Sequence, residues 1–220
     1  IQASIFDKLV AQLQKEGGHL ATPEQKEMLR KAMWDGERHR TVETVAIAPQ
    51  ALAKIAGFEI PADRKFIMVH GDGIGKEHHF SGEKLTTLLA LYRYESFDQA
   101  LAMMRGVYEV GGKGHSCGIY SFDQSHIHAL AMAAPVSRIM VRQPQSKANA
   151  GAFNNGMPMT SSLGCGTWGG NIISENVHLK HYMNTTWVSV PIKEDKPSDE
   201  ELFGDFYDPA LEGVVETITT

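Results

Sequence analysis

The stretch HSCGIYSFDQSHIHALAMAAPVSRIMVRQP, residues 115–144, decides the fold class of this chain. Its first eight residues include Ile119, Tyr120 and Phe122, which are side chains typical of a strand. Asp123 then opens a run rich in Ala and Leu that indicates a helix, and SRIMVRQP at residues 137–144 again indicates a strand. A strand, a helix and a second strand in this order predict a βαβ unit with parallel strands and a right-handed crossover.

The same alternation covers the residues before this unit. KFIMVH at residues 65–70 predicts a buried strand. The other runs of this region predict strands at TVETVAIA (41–48) and TLLALYRY (87–94), and helices at PQALAKIAGF (49–58) and FDQALAMMRGVYEV (97–110). Gly57 ends the first of these helices, while Ser96 and Gln99 cap the second. The chain is therefore predicted to be α/β, with a βαβ-built, largely parallel twisted sheet and flanking helices.

Two helices are predicted ahead of this region. The first carries apolar residues every fourth position, at Ile1, Ile5, Leu9 and Leu13, and is ended by Gly17 and Gly18. The second begins at Thr22, where Pro23 in the first turn and Gln25 three residues on form a capping box, and it ends at Trp34–Gly36.

Composition limits the class of protein. The chain has 220 residues, 42% of them hydrophobic and 21% charged, which is typical of a soluble globular domain. A net charge of −5 without a basic stripe argues against nucleic acid as a partner. The sequence shows neither a membrane-spanning run nor a signal peptide, and two cysteines without CxxC spacing favour a reducing compartment, so we expect a cytoplasmic protein. Because residue 1 is Ile, we also expect the chain to be part of something larger or to be processed.

A glycine-rich run, SSLGCGTWGGNIISENV at residues 161–177, is the clearest functional feature. Its first part, up to Gly170, belongs to a long loop that begins at Gln143 and has no periodicity of its own. Such loops are commonly functional. Glycine allows backbone to approach a ligand closely, and free amides favour anions, so the run indicates a pocket wall. Glu83 and His115 each precede a predicted strand, and with this loop they indicate one edge of a cleft.

Other motifs leave alternatives open. GDGIGKEH at residues 71–78 matches neither nucleotide-binding glycine motif, so an exposed turn is favoured over a phosphate loop. His178 and His181 have the spacing of a metal-ligand pair, but no carboxylate or cysteine at a recognisable spacing completes a set, and no metal is predicted. Cys165 is either a nucleophile or a small residue in a tightly packed loop, and Cys117 is expected to lie in the core.

Four motifs in order give the chain a family resemblance: EKL before one strand, GxGHS before the next, then LGCGTWGGN and SENV. From Ile1 to Pro191 the sequence resembles the C-terminal half, or catalytic domain, of a CoA-acylating aldehyde dehydrogenase. The string QPQSKANAGAFNNGMPMT at residues 143–160 is most similar to the sulfoacetaldehyde dehydrogenase branch of that family.

The resemblance implies a reaction and roles for particular residues. A cysteine thiolate attacks an aldehyde, hydride passes to NAD or NADP, and the thioester is transferred to coenzyme A, reversibly. Glu83 is implied to bind the ribose on the nicotinamide side, Leu85 to pack near that ring, and His115 to serve in proton transfer or CoA contact. The loop residues Leu163, Gly164, Cys165 and Thr167 are implied to line the aldehyde pocket.

Two departures from the family pattern qualify these roles. The usual EKLSP is EKLTT here, with Thr86 and Thr87 in place of Ser and Pro. The family's nucleophilic cysteine and nucleotide-binding domain precede the segment matching Ile1, and neither cysteine of this chain aligns with the nucleophile. The chain is therefore expected to hold one wall of an active site. Lys147 and Arg142 beside the amide-rich loop suggest a small anionic aldehyde such as sulfoacetaldehyde.

The resemblance also implies a division of the chain. Residues 1–183 are expected to form the partial catalytic domain, and residues 184–220 an oligomerisation strand, NTTWVSVPI (184–192), with an acidic C-terminal arm. A homo-oligomer, dimer or tetramer, is therefore expected. Two alternatives remain open: a non-catalytic folding or assembly module, and a transferase that uses Cys165 itself.

Overall fold

Parallel strand pairing organises the part of the chain that the structure describes, residues 1–211 of a computed structural model. The strands are β1 (Gly18–Leu20), β2 (Phe66–His70), β3 (Leu88–Leu91), β4 (Cys117–Ile119) and β5 (Ile139–Val141). The α-helices are α1 (Phe6–Lys15), α2 (Pro23–Met33), α3 (Pro49–Ala56), α4 (Phe97–Gly111), α5 (Gln124–Ala133), α6 (Gln145–Ala148) and α7 (Asp199–Phe203). The predicted α/β class and parallel pairing are confirmed.

The strands form two groups. β2 lies between β1 and β3, with Ile67 opposite Leu88, while β4 pairs with β5, with Cys117 opposite Ile139. A parallel bridge between Gly114 and Val136 extends the second pair toward its N-terminal end. Helix α5 connects β4 to β5, so residues 115–144 form the predicted strand, helix and strand.

Strand β2 is the middle layer of the first group, because helices cover both of its faces. Ile67 and Val69 pack in one core, and Met68, on the opposite face, packs in another. The first core also contains Leu29 and Met33 of α2 with Leu52 and Ala53 of α3, and the second contains Phe6 and Val10 of α1 with Leu91 of β3. A strand buried on both faces has a continuous apolar run, which is the pattern of FIMV.

The helix ends follow the sequence signals. Thr22 and Gln25 form the complete capping box of α2, and the Ser96 hydroxyl accepts from the Gln99 amide at the start of α4. Gly57 ends α3 in the left-handed conformation, at φ 93°.

Two predictions in the N-terminal half are wrong. Residues 41–48 form no strand but a 3-10 turn, Val42–Thr44, in which Thr44 is buried and its hydroxyl donates to the Thr41 carbonyl at 2.7 Å. On α1 the buried residues are Phe6 and Val10, whereas Ile5 and Leu9 are 49% and 36% exposed. The helix begins at Phe6 after a 3-10 turn, and of the four predicted positions Ile1 and Leu13 do pack against the second core, whereas Ile5 and Leu9 do not. The three-residue strand β1 was missed because it is too short to show a pattern.

The chain divides into two compact units, Ile1–Tyr182 and Met183–Thr220. In the described part of the second unit, residues 184–192 form no strand, and Trp187, Val188, Val190 and Ile192 are exposed. A strand needs a hydrogen-bonded neighbour, and this segment has none among residues 1–211. The acidic segment that follows contains α7, capped by Ser198 and Glu201. No helix within residues 1–211 is long and apolar enough to cross a bilayer.

Candidate active site

A cleft of about 720 Å³ brings Glu83 and His115 to one surface. Four segments line it: the loop before β3, the end of α4, the residues before β4, and α6 with the residue after it. The lining residues are Ser81, Gly82, Glu83, Lys84, Val107, Tyr108, Gly111, Gly112, Lys113, His115, Ser116, Gln145, Ser146 and Asn149. The structure thus joins the two strand-preceding residues that the sequence analysis singled out.

Glu83 and Lys84 differ sharply although they are neighbours. Glu83 is exposed, and its carboxylate makes no hydrogen bond to the described residues. The Lys84 ammonium donates to the Phe80 and Gly82 carbonyls at 3.0 and 2.7 Å. Burial of this ammonium lowers the pKa of Lys84 to about 8, partly offset by the nearby Glu83 carboxylate. The cleft therefore has one free carboxylate and one cation held by backbone.

Leu85 is placed by the backbone rather than by apolar packing. It has a φ of 48°, its side chain is 59% exposed, and its carbonyl accepts from the Ala46 amide at 2.8 Å. Arg40 holds the preceding residue, because its guanidinium donates to the Lys84 carbonyl at 2.9 Å. Leu85 is not among the residues lining the cleft, and its implied contact with nicotinamide stays a prediction.

The ring of His115 is held by Ser116, the next residue. His115 Nδ1 lies 2.7 Å from the Ser116 hydroxyl oxygen, which also accepts from Gln145 Nε2 at 2.9 Å and from Asn149 Nδ2 at 3.3 Å. Ser116 and Asn149 are buried, whereas His115 is exposed. The histidine therefore presents a ring that is fixed on its buried side.

Arg138 connects His115 to the glycine-rich loop. Its guanidinium, 4% exposed, donates to the His115 carbonyl at 2.9 Å, to Asn176 Oδ1 at 2.7 Å and to the Gly164 carbonyl. Asn176, 1% exposed, in turn donates to the Asn149 and Pro158 carbonyls at 3.1 and 2.7 Å. Neither residue was predicted from the sequence as part of the site. Two features could have indicated them: Arg138 is a charged residue next to the apolar run of a predicted strand, and Asn176 belongs to the SENV motif.

The glycine-rich loop folds back on itself behind His115. Leu163 forms an antiparallel bridge with Asn176, and the Gly166 amide donates to the Ile173 carbonyl at 2.9 Å. A Cβ built on Gly114 would lie 2.7 Å from the Cys165 carbonyl oxygen, so this loop packs directly against the residue before His115. The implied pocket residues Leu163, Gly164, Cys165 and Thr167 are absent from the lining of the 720 Å³ cleft, and their role stays a prediction.

Among residues 1–211, neither cysteine has a histidine or carboxylate as a hydrogen-bond partner. The only described polar neighbour of the Cys165 sulfur is the Leu163 carbonyl, at 4.0 Å, and no histidine or carboxylate of residues 1–211 hydrogen-bonds it. Burial raises the pKa of the Cys117 thiol, which opposes thiolate formation. A transferase that uses Cys165 therefore finds no support in the local geometry.

The predicted anion-binding residues lie apart from the cleft. Lys147 is exposed on α6 but does not line the cleft, and Arg142 donates to the Ser121 carbonyl at 2.6 Å with its guanidinium over the Phe122 ring. The lysines that do line the cleft are Lys84 and Lys113. An anionic substrate bound by Lys147 stays a prediction.

The histidine pair near the end of the first unit acquires a carboxylate neighbour. Potential ligand atoms of Glu175, His178 and His181 lie within 4.8 Å of one another, a contact that spacing alone did not reveal. The Glu175 oxygen nearest His181 also pairs with the Lys180 ammonium at 2.6 Å, and this hydrogen bond is the main cause of the lowered pKa of Glu175. The Lys180 ammonium therefore already contacts the Glu175 carboxylate that a metal ion would need as a ligand.

Replacing Gly114 with Ala tests the contact between the loop and the residues before β4. Gly112 is the control, since it has a similar φ, 92° against 104°, but open space at its Cβ position. Both variants carry backbone strain, and only Gly114→Ala adds a clash with backbone. We expect Gly114→Ala to lower the free energy of unfolding by about 1–3 kcal/mol more than Gly112→Ala, measured by urea denaturation. Equal losses would show that the loop is not packed there.

Replacing Arg138 with Met tests the buried hub. It leaves three acceptors, two of them in buried contacts, without their donor, and we expect a loss of about 3 kcal/mol or more in unfolding free energy. Arg142→Met is the control, because that exposed guanidinium has one carbonyl partner, and a loss below about 1 kcal/mol is expected. Calorimetry of both variants measures the difference, and similar melting temperatures would contradict the role of Arg138.

The chain is similar in sequence to known aldehyde dehydrogenases. No family model matches the chain. It is 39% identical over 94% of its length to a sulfoacetaldehyde dehydrogenase from Acholeplasma sp, and 36% identical over 93% to a sulfoacetaldehyde dehydrogenase (acylating) from Bilophila wadsworthia. It covers 43% and 45% of those relatives, respectively.

A solved structure extends the similarity to the fold. An acetylating aldehyde dehydrogenase from Geobacillus thermoglucosidasius superimposes on 90% of the chain with a TM-score of 0.82 and 33% identity, and the chain covers 43% of it. A probable aldehyde dehydrogenase from Listeria monocytogenes superimposes on 88% of the chain with a TM-score of 0.81 at 27% identity. By sequence and fold together, the chain is similar to acylating aldehyde dehydrogenases and spans less than half the length of the relatives that it matches.

Proposed function

We propose that this chain supplies one wall of the active site of an NAD(P)-dependent, CoA-acylating aldehyde dehydrogenase. The observation that carries the proposal is the cleft shared by Glu83 and His115, in a chain similar over 94% of its length to a sulfoacetaldehyde dehydrogenase. The proposed reaction converts a small aldehyde, CoA and NAD(P)⁺ into acyl-CoA, NAD(P)H and a proton, and it runs in both directions.

The nucleophile is proposed to come from outside these 220 residues. A cysteine thiolate adds to the aldehyde carbon, the carbon loses hydride to become an enzyme thioester, and the CoA thiol then displaces the enzyme sulfur. NAD(P)⁺, when bound, supplies the hydride acceptor. Within this chain, the raised pKa of Cys117 and the lack of a base near Cys165 agree with a nucleophile that lies elsewhere.

Glu83 is suited to bind the nucleotide ribose. Its carboxylate is exposed at the cleft and has no hydrogen-bonded partner among the described residues, so its oxygens remain available to two hydroxyl donors. The backbone around it is held by Arg40 and by the Lys84 ammonium. Leu85, which follows, is proposed to pack near the nicotinamide.

CoA is proposed to bind in the same cleft. His115, Lys84 and Lys113 line it, and two lysines beside an imidazole favour an anionic or thiol-bearing ligand. Lys147 is exposed on α6 outside the lining, and we propose it as a contact for a sulfonate or carboxylate on the aldehyde. With both cysteines unpaired, we also propose that the protein works in the cytoplasm.

A second candidate function is assembly. The exposed apolar side chains of residues 184–192, Trp187, Val188, Val190 and Ile192, form a segment without a strand partner in the described chain. We propose that this segment pairs between subunits of a homo-oligomer. Sizing of the isolated chain tests this: multimers without turnover support an assembly role, and a monomer contradicts it.

A chimeric enzyme tests the catalytic proposal. Residues 1–220 replace the matching segment of the Geobacillus acetylating aldehyde dehydrogenase, to which the chain is 33% identical. We expect CoA-dependent reduction of NAD(P)⁺ by an aldehyde. Glu83→Gln is expected to raise the nucleotide KM about tenfold through a weakened ribose hydrogen bond, while Glu43→Gln on the surface leaves it unchanged.

Three outcomes would contradict parts of the proposal. A folded chimera without CoA-dependent turnover would contradict the function as a whole. Turnover by residues 1–220 alone would contradict the external nucleophile and favour Cys165. An unchanged preference between sulfoacetaldehyde and acetaldehyde in Lys147→Ala would remove Lys147 from the substrate site.

A further inference from the structure

We propose that Ser116 is a positioning residue, which holds the neutral His115 ring in the tautomer with its proton on Nε2. His115 then enters the cleft as a hydrogen-bond donor rather than as a base for the CoA thiol. This role in the reaction rests on the proposed function, whereas the tautomer itself does not.

The argument starts from the hydrogen-bonding capacity of a serine hydroxyl, which has one donor and two acceptor sites. The Ser116 oxygen accepts from Gln145 Nε2 at 2.9 Å and from Asn149 Nδ2 at 3.3 Å, so both acceptor sites are in use. The remaining contact is His115 Nδ1 at 2.7 Å. Since the oxygen has no third acceptor site, the hydroxyl proton must point to Nδ1. A neutral ring that accepts at Nδ1 carries its own proton on Nε2.

The two amide donors are themselves fixed. Asn149 is 7% exposed, and its backbone carbonyl accepts from Asn176 Nδ2 at 3.1 Å. Gln145 begins α6, and its side chain lies against the backbone of Gly118 in β4, where a Cβ would be 3.3 Å from Gln145 Oε1. The direction of the Ser116 hydroxyl is therefore set by two side chains at opposite ends of α6, Gln145 and Asn149. Ser116 is thus a buried residue of the cleft wall whose hydroxyl is directed at the histidine ring.

The consequence concerns the side of the ring that faces the cleft. His115 is exposed and lines the cleft, and Nε2 has no partner among the described residues. A nitrogen that carries a proton cannot take one from a thiol. It can donate to a developing oxyanion on the acyl carbon, which is the role of a preorganised donor in acyl transfer.

The ring nitrogens can be observed directly by long-range ¹⁵N–¹H correlation NMR on the 220-residue chain. At about pH 9, above the ordinary imidazole pKa, we expect a protonated Nε2 and an unprotonated Nδ1. The two resonances are assigned to His115 because they disappear from the spectrum of His115→Gln. In Ser116→Ala the Nδ1 resonance is expected to shift toward that of a nitrogen without a hydrogen-bond donor. Ser121→Ala, at a half-buried serine outside the cleft, should leave it unchanged.

Ser116→Thr keeps the hydroxyl and should restore the wild-type Nδ1 position. A proton on Nδ1 in the wild type, or an Nδ1 resonance unmoved by Ser116→Ala, would overturn the proposal. Because the wild-type spectrum decides the tautomer by itself, the test does not depend on how well either variant folds.

The donor role has a separate readout in the chimera. The Gln amide nitrogen can occupy the place of Nε2–H but cannot act as a base. Loss of an oxyanion donor lowers kcat about 10²–10³-fold, so the kcat of His115→Ala is expected to be lower than wild type by that factor. The kcat of His115→Gln is expected to be at least about tenfold higher than that of His115→Ala. Equal losses in Gln and Ala would overturn the donor role. An inactive wild-type chimera would instead count against the proposed function and leave the NMR result standing.

Discussion

The buried guanidinium of Arg138 is the interaction on which the cleft depends. Its partners are two backbone carbonyls and one side-chain amide, and no carboxylate of residues 1–211 pairs with it. Burying a charge in this way is unfavourable unless its donors are all satisfied. Such a group tolerates little displacement, since each hydrogen bond that breaks leaves both an N–H of the guanidinium and its acceptor oxygen without a partner. The backbone of His115 and the turn at Gly164 are therefore fixed relative to one another.

Around this hub, polar contacts form two successive layers. Arg138 and Asn176 hold backbone: the carbonyls of His115, Gly164, Asn149 and Pro158. Ser116, Gln145 and Asn149 then hold the side chain that reaches the surface. The first layer explains the close packing at Gly114, where any side chain would meet the loop. A ring positioned by both layers has little freedom left, which is what a preorganised catalytic group requires.

Local signals predicted most of the fold but only part of the site. The caps of α2 and α4 and the apolar run of β2 are short-range patterns, and they hold in the structure. Residues 41–48 also contain β-branched side chains typical of a strand, but Ala46 takes a φ of 55° and its amide donates to the Leu85 carbonyl, a long-range contact that no local pattern contains. Arg138 and Asn176 were missed for the same reason, because their partners lie up to 38 residues away.

Glu83 and His115 do not lie where parallel sheets usually bind their ligands. In open parallel sheets, ligands usually bind beyond the carboxyl ends of the strands. Here both residues precede their strands, β3 and β4, and only the residues of α6 follow one, β5. The rule alone would have directed attention to the loops after β2 and β5. What locates the cleft is the junction of the two strand groups, where the loop before β3, the end of α4, the residues before β4 and α6 converge. The cleft thus combines an exposed carboxylate, Glu83, with an imidazole, His115, whose Nδ1 contacts the Ser116 hydroxyl.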